Sequence, residues 1–147
     1  MKQLARISAV TVAVFATAVV LGGCTSTSDA SSIAKTASKA AASAQTAAYD
    51  LRLNSQRKTT FGVSDTALSD ATKALQQVDS TLTSAQTTGA VQASANKILS
   101  LVRAAEDQLQ KAQAPSPSNA ALVSLSSQLH REAVRLTSIA SALEASR

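Results

Sequence analysis

Ser64–Thr87 reads SDTALSDATKALQQVDSTLTSAQT, and within it Leu68, Ala71, Leu75, Val78, Leu82 and Ala85 recur at steps of three and four residues. That spacing places all six on one stripe of an α-helix, whereas a strand would alternate apolar and polar positions. The same rhythm appears on both sides of this stretch. Upstream, Ile33, Ala37, Ala40, Ala44, Ala47 and Leu51 keep it. Downstream, Val91, Ala95, Ile98, Val102, Ala105, Leu109 and Ala112 form a third run, and Leu122, Leu125, Leu129, Leu136, Ile139 and Leu143 a fourth. Glu132 falls on the fourth stripe, where either Ala133 turns inward in its place or the carboxylate needs a buried partner.

Helix breakers separate these runs. Beyond residue 24 the chain has two glycines, Gly62 and Gly89, and both its prolines fall in Ala114-Pro115-Ser116-Pro117-Ser118. Glycine commonly sits just past a helix end and proline cannot continue a helix. Four segments result, at about 31–60, 64–87, 90–113 and 118–146. Ser64 before Asp65 reads as the start of the second helix, Ser118 or Asn119 as the cap of the fourth, and Arg57 with Lys58 as cations closing the first. Short connections between long helices require antiparallel neighbours. The expected fold is therefore all-α, an antiparallel up-down four-helix bundle. The alternative is a three-helix bundle with a loosely attached first helix, because alanines bury less area than leucines and Lys35 and Lys39 repel at i,i+4.

The N-terminus differs from the rest in composition. Lys2 and Arg6 precede an uncharged run from Ala9 to Leu21, followed by Gly22, Gly23 and the only cysteine, Cys24. This is the layout of a secretory leader, and its apolar run of 13 residues is shorter than the roughly 20 that span a bilayer. Leu21-Gly22-Gly23-Cys24 resembles the lipobox of bacterial lipoproteins. The resemblance covers residues 1–24 only and implies that signal peptidase recognises Leu21, Gly22 and Gly23. It further implies cleavage before Cys24 and a diacylglycerol on its thiol. Residues 1–23 are then the signal peptide, 24–32 the lipidated cysteine with a flexible tether, and 33–147 the bundle domain. The implied location is the extracytoplasmic face of a membrane, and Thr25 after the cysteine leaves an outer membrane open where the cell has one. Composition rich in Ala, Ser, Thr and Arg also resembles that of small lipoproteins from high-GC actinobacteria.

A catalytic set is hard to assemble from the remaining residues. His130 is the single histidine, and a zinc site of His and Cys is excluded by count. There is no Gly-x-Ser-x-Gly elbow and no glycine-rich phosphate loop. No enzymatic activity is expected, and no cofactor apart from the lipid on Cys24. From residue 24 onward, 12 Lys and Arg against 9 Asp and Glu leave +3, too little to argue for a nucleic-acid partner. His130 reads as a boundary residue on the fourth helix or as a pH-sensing contact between helices.

One stretch stands out from the Ala/Ser/Thr background. Tyr49 to Phe61 holds both aromatics beyond the leader and three cations, Arg52, Arg57 and Lys58. Tyrosine and arginine are enriched at interface hot spots, and a guanidinium grips carboxylates through paired donors. Tyr49, Arg52, Arg57, Lys58 and Phe61 are therefore the candidate partner contact, at the corner between the first two helices. A structural reading has Tyr49 and Phe61 plugging the bundle end. The Ala114–Ser118 connection shares that end, giving a two-loop tip away from the membrane. The expected role is a membrane-anchored, non-catalytic interaction module for an envelope protein, with self-association as a further route. A binder of a small apolar or anionic ligand and a passive envelope spacer are the alternatives.

Overall fold

The computed structural model describes residues 29–146, with four helices and no strand among them: α1 (Ala30–Ser55), α2 (Phe61–Ser84), α3 (Gly89–Ala112) and α4 (Asn119–Ala145). The leader, Leu21-Gly22-Gly23 and Cys24 lie outside the described residues. No described helix is long and apolar enough to cross a membrane.

Polar contacts between helices fix their directions. Ser126 on α4 donates through Oγ to the carbonyl of Ala48 on α1 at 2.7 Å, and one turn later His130 Nδ1 donates to Gln45 Oε1 at 2.9 Å. Partner numbers fall as α4 advances, so α1 and α4 run antiparallel. The pairs Arg103–Asp79 and Gln113–Thr72 show the same for α3 and α2. α1 touches all three other helices, while α2 and α4 lie apart across the longer diagonal. The result is the up-down-up-down bundle expected from the four stripes. Its core includes the fully buried Ile33, Leu51, Leu75, Ile98, Leu109, Leu129 and Leu136.

The loosely attached first helix is not what forms. Seven alanines of α1 are buried (Ala34, Ala37, Ala40, Ala41, Ala44, Ala47 and Ala48), and its most extensive packing is against α4. Small side chains let two helix backbones approach closely, and the many weak contacts along such a seam add up. Area per residue was the wrong quantity by which to judge α1.

Three boundaries differ from the sequence reading, each for a local reason. Asp29 accepts from the Ser32 amide at 2.7 Å and caps α1, so Ala30–Ser32 is helix rather than tether. α1 stops at Ser55 instead of near residue 60, because Arg57 takes a left-handed conformation (φ 55°). The Lys58 amide then donates to Leu53 O and the Arg57 amide to Asn54 O, both at 2.9 Å. That is a Schellman ending, with arginine where glycine is usual. α2 begins at Phe61 behind Thr60, so Ser64 does not cap it but sits buried inside the helix, and Gly62 lies in its first turn. Ser118 does cap α4, accepting from the Ala121 amide at 3.2 Å. Ala133 takes the inward position beside Glu132, whose mostly covered carboxylate lies 3.6 Å from Arg135 of the same helix.

Candidate functional site

The end of α1, the start of α2, the end of α3 and the start of α4 meet at one end of the bundle. A helix of 26 residues rises about 39 Å, so this tip lies that far from Ala30. Its two turns each contain a left-handed residue other than glycine, Arg57 and Ser116, both at φ 55°. Pro115 and Pro117 flank Ser116 and cannot extend α3, which fixes the second turn.

A buried polar cluster ties the first turn to α2. Asp50, in the second-last turn of α1, is 7% exposed and accepts from Ser64 Oγ at 2.5 Å. Asn54, one turn further, donates to the same hydroxyl at 3.3 Å. Ser64 itself is 2% exposed, so its hydroxyl is the group that satisfies the carboxylate away from water. Above this cluster opens a cleft of about 530 Å³ between the two turns. Leu68, Ala112 and Leu122 form its apolar floor, Pro115 and Pro117 one wall, and Asn54, Arg57, Asp65, Gln113 and Asn119 its polar lining. Its volume lies within the range of ligand sites, while its lining is about equally polar and apolar.

Three of the five candidate contact residues line two different concavities. Arg57 lines the tip cleft. Tyr49 and Arg52 line a separate groove between α1 and α4, together with Val123, Ser127 and His130. Lys58 is exposed beside the turn, and Phe61 is the first residue of α2. Tyr49 is 63% exposed, so it does not plug the bundle end. Tyr49 sits beside Ala48, but the α1–α4 seam passes on the Ala48 side and leaves the ring outside. His130 does bridge two helices, from an exposed position.

No family model matches this chain, and no curated protein or solved structure shows significant similarity to it.

Sequence reading did not place Asp50, Ser64, Asp65 or Gln113 at the tip site, and it gave Ser64 and Asp65 only the role of a helix start. For Asp50 a signal existed, because it follows Ala47 by three and so continues the buried stripe of α1. Asp65 and Gln113 carry no such signal, since only the meeting of two distant turns brings them together. Away from the tip, Asp79, Arg103 and Glu106 gather between α2 and α3, with Arg103 Nε donating to Asp79 Oδ1 at 3.0 Å. Burial, and then the neighbouring Asp79 carboxylate, holds Glu106 above the usual carboxylate range, partly offset by Arg103. Among the described residues no three His, Cys, Asp or Glu side chains gather as a metal site.

Proposed function

We propose that this chain is a lipid-anchored envelope protein, held at the membrane by diacylglycerol on Cys24, that works as a non-catalytic interaction module through its distal tip. The observation carrying this reading is the cleft between the two turns, which lies at the end of the bundle opposite Ala30 and therefore opposite the anchor. A partner in the envelope reaches that end without displacing the domain from the membrane. Polar groups at the rim of an apolar floor fit protein contact, where a buried apolar centre is ringed by polar residues. Neither nucleic acid nor a further cofactor has a place in this role.

In-cell photo-crosslinking tests it, with a photoreactive residue at position 57 and a control at position 73, an exposed site on α2. The expected result is a discrete heavier adduct in the membrane fraction from position 57 alone. No adduct from position 57, or equal adducts from both positions, removes the adaptor reading and leaves the spacer and small-ligand alternatives.

A second route, self-association, has one observation in its favour. Tyr49, Val123 and Val134 are large apolar residues exposed along the α1–α4 face. A homodimer adduct from position 49 would establish it.

A further inference from the structure

The charges around the tip cleft narrow down what it binds. Arg57 and Asp65 both line it, yet among the described residues neither has an oppositely charged side chain within ion-pair distance. Beneath Ser64 lies a second carboxylate, Asp50, buried and also without a cationic partner among the described residues. The cleft lining therefore holds one guanidinium and one carboxylate beside the apolar floor of Leu68 and Leu122, with the buried Asp50 beneath Ser64.

A simple anion would satisfy Arg57 but face Asp65, and a simple cation would meet the reverse conflict. A neutral apolar molecule would cover the floor but leave both charges without a partner. A ligand with an ammonium and a carboxylate satisfies both through charge-assisted hydrogen bonds, and a small apolar group covers the leucines. The side-chain amides of Asn54 and Asn119 also line the cleft, offering donors and acceptors that match peptide groups. We propose that the tip cleft binds a short peptide segment that presents both an ammonium and a carboxylate together with a small apolar residue. This rests on reading the tip as the contact end, and names the chemistry that end recognises.

The test is NMR titration of the full chain in detergent micelles with zwitterionic alanine peptides of two to four residues. The same peptides with an acetylated N-terminus or an amidated C-terminus remove one charge at a time. The expected result is saturable shifts at Leu68, Ala112 and Leu122 with one member of the series, weakened at least about tenfold by either block. In Arg57→Gln the C-terminal block should no longer matter, and in Asp65→Asn the N-terminal block should no longer matter. Circular dichroism of both variants checks that the bundle stays folded. No saturable shift up to about 10 mM peptide, or blocked peptides binding as tightly as free ones, overturns the proposal. So does an unchanged response to blocking in the two variants. Failure here with the position-57 adduct intact removes the peptide chemistry but keeps the contact end. Peptide binding without the adduct keeps the chemistry and removes the protein partner.

Discussion

At the α2–α3 end of the bundle the left-handed residue is Gly89 (φ 58°), whereas at the tip the left-handed residues are Arg57 and Ser116 (φ 55° each). Glycine adopts this backbone freely, and a residue with a Cβ does so at about 1 kcal/mol. The two ends differ in their polar groups as well. Near Gly89, Thr87 donates to Gln92 Oε1 at 2.8 Å and Gln92 Nε2 to Asn96 Oδ1 at 3.3 Å, so the polar side chains of that turn pair with one another. At the tip, Arg57 and Asp65 have no charged partner among the described residues. One end turns the chain at low cost. The other carries Arg57 and Ser116 against a backbone penalty, and strained residues of this kind cluster at functional sites.

The comparison is broken most forcefully at Ser64. Ser64→Ala leaves the buried Asp50 carboxylate without its hydroxyl donor, and should lower unfolding stability by about 1–3 kcal/mol. Thr87→Val, at the other end, should cost about 1 kcal/mol or less, since an apolar residue of similar shape replaces the hydroxyl and Gln92 keeps Asn96. Urea denaturation of the two variants measures both, and equal losses would mean that the ends are held alike.

The turns themselves provide the next test, through opposite signs. Arg57→Gly should stabilise the bundle by about 1 kcal/mol, a rise in Tm of roughly 4 °C, while weakening any contact made at the tip. Gly89→Ala should destabilise it by about 1 kcal/mol. A Cβ at Gly89 meets nothing within 4 Å, so that loss would come from the backbone alone. Changes of the same sign would show that left-handed geometry is not what distinguishes the ends.

The smallest effect serves as a reference between them. Glu106 in mid-bundle is held above the ordinary carboxylate range when folded, so the folded state binds this proton more tightly than the unfolded one. Its contribution is fully present below the unfolded-state value, near pH 4.3, and is lost as pH rises through the folded-state value. The stability of wild type relative to Glu106→Gln should accordingly decline across that window, as followed by thermal melts. A relative stability that rises there would reverse the assignment.

Much of the bundle was legible from spacing alone. Four stripes at three- and four-residue steps, two glycines and one proline pair give the helices, their order and the two-loop tip. What stayed hidden depended on conformation or on distant neighbours. The end of α1 was misplaced because Arg57, not a glycine, takes the left-handed position, and nothing in its side chain announces this. Ser64 looked like a cap because hydroxyls cap helices, whereas here it serves a carboxylate fourteen residues earlier. The alanines of α1 were judged by area, although close approach of backbones is what they permit. At the candidate site, Arg57 was singled out from residue type alone, but that Tyr49 and Arg52 line a different groove required knowing which faces α4 covers.

Crosslinking from both ends tests most directly whether the tip is the working end. Photoreactive residues at position 116 in the tip turn and at position 86 in the α2–α3 connection are both exposed and lie at opposite ends of the bundle. The account predicts one discrete adduct from position 116, of the same mass as that from position 57, and none from position 86. An adduct from position 86 alone, or equal adducts from both, would contradict it.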